Sequence, residues 1–205
     1  FAYTVELLDG PDPIQRVADE MVEDALNDGV TTLEIRFAPQ LHNSELPEII
    51  IDSALAGIRG RAGLILCGLY GEDPSQLTEL VQLAATRPGV VGIDLAGGPH
   101  PSHQWKLADY RYAFELAASH GLGRTVHAAE GRPAAEIAEA ITTLGVQRIG
   151  HGTTLLTDPA ITELVRTSGV TIEACPTSNV HTGVIERVAD HPIGEWLKRG
   201  VRACL

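Results

Sequence analysis

The stretch RTVHAAE, Arg124 to Glu130, starts as a short apolar segment and ends on a histidine and a glutamate three positions apart. The meaning of that pair depends on which end of a strand it occupies and on what neighbouring strands carry at the same level. Six other segments read alike: TTLEIRF (31–37), AGLILCG (62–68), VVGIDLAG (90–97), RIGH (148–151), TIEACP (171–176) and VRACL (201–205). With GRTVHA (123–128) they make seven runs, nearly continuous in Val, Ile, Leu, Ala and Cys, as strands covered on both faces should be. Helix-like runs separate them, opened by Asp12-Pro13, Asp73-Pro74, Asp158-Pro159 and His191-Pro192 and closed by Gly29, Gly89, Gly169 and Gly200. Asp suits the cap, Pro the first helical position, and glycine the left-handed residue that ends a helix. In the first run Ile14, Val17, Ala18, Met21, Val22 and Ala25 recur at helical spacing, which predicts one buried face.

Strands alternating with helices at intervals of about 23–33 residues predict a parallel α/β sheet. A doubly wound open sheet and a (β/α)8 barrel both fit that alternation. The polar residues separate them. An open sheet concentrates its chemistry at one switch point, usually with a glycine-rich phosphate loop, and no such loop follows any of these strands. A barrel gathers polar groups from several strand ends. Here those ends carry Glu34 and Arg36, Asp94 and Gly97, His127, His151, and Glu173 with Ser178 just beyond. The expected fold is the barrel.

The chain has 205 residues, enough for one domain with a real core, and a formal net charge of −12 that argues against nucleic acid or an anionic membrane as partner. No apolar run in it approaches membrane-spanning length and nothing in it resembles a signal peptide, and its three cysteines, Cys67, Cys175 and Cys204, read as buried reduced thiols of a cytoplasmic protein.

His127 and His151 close consecutive strands, with Glu130 in the loop between them. Adjacent strand ends lie only ~5 Å apart, so all three groups can face one cavity. Neutral imidazole suits Zn²⁺, and a carboxylate not bound to metal can carry a proton. His127 is therefore placed to hold a metal and Glu130 to move a proton beside it. Glu173, inside an apolar run, needs a buried partner, and the histidine on the preceding strand is the natural one. Asp94 reads either as a structural acceptor or as a support behind a site residue, Arg36 as the partner of Glu34 or another buried acid, and Gly97 as a point of close backbone approach. His100 and His103 follow DLAGG and read as solvated loop residues within reach of a pocket mouth.

LEIRFAP, GIDLAG, RTVHAAE, RIGHG and EACPTSNVHTG, in this order and spacing, resemble the adenosine deaminase family, which includes adenosine and AMP deaminases of the metallo-dependent hydrolase superfamily. The resemblance implies a (β/α)8 barrel that hydrolyses the 6-amino group of a purine nucleoside with Zn²⁺, giving an inosine-type product and ammonia. It also implies that His127 is a zinc ligand, that Glu130 protonates the purine N1, and that His151 orients the attacking hydroxide. On the same basis the Gly97 backbone contacts the purine, and Glu173 supports the active-site histidine. The family's first-strand H-x-H and its terminal Asp motif lie outside residues 1–205, so the segment is expected to be one partial barrel, incomplete at both ends, from strand 2 to the start of strand 8. Expected substrates are adenosine and deoxyadenosine. The alternatives are another aminopurine, such as adenine or a modified nucleoside, and a non-catalytic purine-binding barrel. Ala129 stands where the family usually has glycine, Pro99 where many members carry an acid, and Tyr70 where an arginine is common.

Overall fold

The computed structural model describes residues 2–42 and 44–205. Seven strands form one sheet: β1 (Glu34–Phe37), β2 (Gly63–Leu69), β3 (Val90–Ala96), β4 (Gly123–Ala128), β5 (Arg148–His151), β6 (Thr171–Glu173) and β7 (Arg202–Cys204). Six lie within one of the seven apolar runs, and β2 runs one residue past its own, to Leu69. Every neighbouring pair is parallel and the order is simply β1 to β7. A doubly wound sheet reverses its order at a switch point; this sheet never does. It also curls. Arg36 on β1 bonds to Asp94 on β3 and to Glu173 on β6, and Arg148 on β5 reaches back to Glu34. Strands about 4.8 Å apart would hold β1 and β6 more than 20 Å from each other in a flat sheet. The side chains meet because the sheet wraps around them, as part of a barrel.

Nine α-helices cover the outside among the described residues: α1 (Ala2–Leu7), α2 (Pro11–Asn27), α3 (Pro47–Ile58), α4 (Pro74–Ala85), α5 (Arg111–Ser119), α6 (Ala135–Glu139), α7 (Pro159–Ser168), α8 (Pro176–His181) and α9 (Ile193–Lys198). None is long and apolar enough to cross a membrane. Ile65, Ile93, Leu95, Val126, Ile149 and Ile172 of the strands are fully buried. Phe114, Leu77 and Trp196 are buried with them from the helices. Helices α2 and α3 pack closely at Gly57, where a Cβ would stand 2.2 Å from the Gln15 carbonyl oxygen. Any larger residue there forces the two helices apart.

The helix punctuation holds with two corrections. Asp73 and Asp158 cap α4 and α7, accepting from Ser75 N and from Ala160 N and Ile161 N. Asp12 caps nothing: α2 begins one residue earlier, at Pro11, behind Gly10. Gly29, Gly169 and Gly200 have the positive φ that their closing positions require, whereas α4 ends at Ala85 with its cap at Thr86, so Gly89, also at positive φ, leads into β3 rather than closing the helix. On α2 the buried stripe is Ile14, Ala18 and Val22, while Met21 is exposed. The cysteines also differ from expectation. All three are free thiols, but only Cys67 is buried; Cys175 is half-buried just past β6, and Cys204 is exposed.

Candidate active site

The C-terminal ends of the strands open on one cleft of about 1110 Å3. His127, Glu130, His151, Gly97 and Glu173 all line it. Asp94 is fully buried behind His127. Glu34 is the displaced member of the predicted set: it opens β1 rather than closing it, and pairs with Arg148, which opens β5. His100 and His103 do not line the cleft. They stack on each other at 5.7 Å, and the His103 ring lies over Gly71, where a Cβ would stand 2.9 Å from it.

The rings of His127 and His151 share the cleft with centroids 4.9 Å apart. His127 Nδ1 meets the Asp94 carboxylate at 3.2 Å. A carboxylate can only accept, so Nδ1 carries the proton and a neutral His127 keeps the lone pair on Nε2. Burial works against charging His127, yet the Asp94 carboxylate outweighs it and moves the pKa up. Asp94 mirrors this: burial opposes its charge, but His127 and then Arg36 hold it below the usual carboxylate range.

His151 sits at the end of β5 with φ 71, a left-handed backbone that a side chain adopts at a cost of order 1–2 kcal/mol. Strain of this kind marks positions where the surroundings dictate the geometry. Its Nδ1 contacts Asn179 Nδ2 at 3.0 Å and Glu130 Oε1 at 3.5 Å. Burial, and after it the neighbouring His127, push His151 down to about 4, so it is neutral at ordinary pH. Glu130 Oε1 also accepts from Thr182 Oγ1 at 3.2 Å and lies 3.5 Å from Asn179 Nδ2. Ala129, between the paired residues, has φ 55. Its strained turn is tied down by the Ala129 N–H donating to Glu136 Oε2 at 2.8 Å, and by Thr153 Oγ1 donating to its carbonyl at 2.8 Å. Gly97, at φ 81, has nothing within 4 Å of where a Cβ would project. Its backbone therefore faces open space at the cleft.

The partner expected for Glu173 is wrong. Its carboxylate does not bond to His151; it accepts from Arg36 Nη2 at 2.5 Å and Thr125 Oγ1 at 3.2 Å, and pairs with Arg148 Nε at 3.1 Å. Arg36 does pair with buried acids, namely Asp94 and Glu173. The carboxylate that grips a histidine is Asp94. Asn179 and Thr182 are site residues that the strand ends and Ser178 do not point to. Their signal lay in TSNVHT, where the helix after β6 turns one amide completely inward.

Among the described residues no group of three or more His, Cys, Asp and Glu side chains could hold a metal ion. His127 alone, with Nδ1 anchored on a carboxylate and Nε2 free, has the form of one metal donor. The fit is to one ligand of a centre, not to a whole one.

A consecutive parallel sheet that wraps inward, with imidazoles and carboxylates converging at its C-terminal mouth, defines a protein of the (β/α)-barrel class. The chain belongs to the adenosine deaminase family, whose model matches residues 1–205. It is 35% identical over 216 residues to an adenosine deaminase of Clostridium perfringens strain SM101, covering 100% of this chain and 64% of that protein. It is 36% identical over 213 residues to the adenosine deaminase of Erwinia tasmaniensis, covering 98% of this chain and 63% of that protein. The chain thus spans somewhat under two thirds of these relatives. Among solved structures, the adenine deaminase from Arthrobacter aurescens superposes with a TM-score of 0.86 at 27% identity, covering 96% of this chain and 62% of that one.

Proposed function

We propose that the protein of which these residues form part of the barrel is an aminohydrolase that converts adenosine, and deoxyadenosine, to the 6-oxo nucleoside and ammonia. The observation that carries the reading is the single cleft shared by His127, Glu130 and His151, in a chain of the adenosine deaminase family. In this reading the purine ring lies against the Gly97 backbone, where no side chain intervenes. Water adds at C6 and an electron pair moves onto the ring. Glu130 gives its proton to N1, which takes up that charge. One proton of the added water replaces the one Glu130 gave up, and the other passes from the new C6 hydroxyl to the amino group, which leaves as ammonia and restores the ring as the 6-oxo product. His151, held by Asn179 next to Glu130, orients the attacking water. Asp94 keeps His127 in the tautomer with Nε2 free. When bound at His127, a zinc ion would supply a water acidic enough to act as nucleophile near neutral pH. The setting is cytoplasmic, and neither nucleic acid nor a membrane is a partner.

A second reading, deamination of adenine itself, is favoured by the structural likeness to the Arthrobacter aurescens adenine deaminase. Pro99 bears on it too, because the loop after Gly97 lacks the acid many relatives carry there. A panel of adenosine, deoxyadenosine and adenine, followed by ammonia release from the intact protein, separates the two. The nucleosides should exceed adenine in kcat/KM by at least ~10-fold. A preference for the free base would transfer the assignment to adenine, and ammonia release from none of the three would remove the deaminase reading.

A further inference from the structure

Arg132 follows Glu130 by two residues and points away from the cleft it helps to frame. Its Nε donates to both oxygens of Glu136 at 3.0 Å, the same carboxylate that holds the Ala129 N–H. Its own carbonyl accepts from Thr154 Oγ1 at 2.5 Å. The root of the side chain is thus fixed to the loop that follows His127 and carries Glu130. The far end is pressed against a different loop. A Cβ on Gly98 would stand 2.3 Å from Nη1, 2.4 Å from Cζ and 2.6 Å from Nη2. Among the described residues Nη2 is buried and has no hydrogen-bond partner. A buried guanidinium donor left unpaired is costly, so satisfied hydrogen bonding does not explain where this end lies. What this end meets is the space that a side chain on Gly98 would fill. That glycine adjoins Gly97, whose left-handed turn borders the cleft.

We propose that Arg132 is a positioning residue: its guanidinium, seated on Gly98, sets the spacing between the Gly97–Gly98 turn and the His127–Glu130 loop. This rests on the reading above, in which those two loops flank the purine. Gly97 meets its open space without needing Gly98 to be small; Gly98 is small because the guanidinium occupies its Cβ position. Arg132 itself does not line the cleft, so it acts through the loops and never touches substrate.

The test is a cycle of Gly98→Ala, Arg132→Ala and the double variant in the intact protein, with KM and kcat measured for adenosine. Gly98→Ala should raise KM about tenfold while kcat changes less than about threefold, because the turn is displaced from the ring rather than from the proton carrier. The double variant should match Arg132→Ala alone, since no guanidinium remains to collide with the new methyl group. Two single effects that multiply in the double variant would overturn the brace, as would an unchanged KM in Gly98→Ala. If the intact wild-type protein releases no ammonia from adenosine, the deaminase reading fails, and thermal unfolding of the same four proteins decides the brace. Gly98→Ala should then lower Tm with Arg132 present and not with Arg132→Ala. An equal shift in both backgrounds would overturn it.

Discussion

Asp94 and Glu173 are two buried carboxylates that share Arg36, and their other contacts separate their work. Asp94 turns its second oxygen to the His127 ring, whereas Glu173 turns to Thr125 and Arg148. Asp94→Asn should therefore lower kcat/KM about 10- to 100-fold, by loosening the tautomer and orientation of His127. Glu173→Gln leaves Arg36 and Arg148 short of an anion in a mostly buried place. It should lower the unfolding free energy by about 3 kcal/mol in denaturant titration while kcat/KM of the folded protein stays within about threefold. Equal activity losses from both variants would contradict this division. The sequence could announce that Glu173 needed a partner, because a carboxylate in an apolar strand always does. It could not announce which one. Sequence neighbourhood favoured the histidine on the preceding strand, but the curl of the sheet brings Arg36 from five strands away, and charge selects the guanidinium.

The strands and the helix boundaries were the most legible elements. Apolar runs such as GLILCGL and VVGIDLA can hardly be anything but strands buried on both faces, and Asp-Pro before a periodic run is a physical start signal. The signal fails at Asp12 because Gly10 and Pro11 precede it and the helix takes the earlier start. The consequence is measurable. Asp158→Ala should cost about 1 kcal/mol in unfolding free energy, since Asp158 caps two N–H groups of α7. Asp12→Ala should cost only a few tenths, because Asp12 contributes no more than charge near the start of α2. Matching losses would mean that Asp12 caps after all. Asn179 and Thr182 were illegible for the opposite reason. They lie on α8 and at its C-terminal cap, beyond the strand, and only the fold of that helix over the cleft brings them to Glu130.

Across the whole molecule, acid sensitivity follows from the buried histidines whose pKa is lowered: His151 in the cleft, and two more away from the His127 pair. His191 caps the start of α9, accepting from Ile193 N at 3.2 Å through Nδ1, and packs edge-on against Trp196. His42 is buried at the cleft wall with Nδ1 unpartnered among the described residues. Burial lowers both pKa values from the ordinary 6.5. The folded state therefore keeps both rings neutral where the unfolded chain would already bind protons. Their contribution is complete above the unfolded value and is lost as pH falls through the lower folded values. Unfolding midpoints should fall below about pH 6.5, and His191→Asn, which retains a capping side chain but cannot titrate there, should flatten part of that slope. An unchanged pH profile would contradict the assignment. At this scale the sequence carried the parallel alternation and the polar strand ends, which together imply an inward-curving sheet. The ion-paired interior beneath the mouth, joining β1, β3, β5 and β6, is a product of closure that no single segment displays. The central claim is that Glu130 carries the proton in a cleft shared by two imidazoles, and turnover of adenosine by Glu130→Gln in the intact protein tests it most directly. The account predicts a fall in kcat of about 10²- to 10⁴-fold with an unchanged unfolding midpoint; undiminished turnover would contradict it.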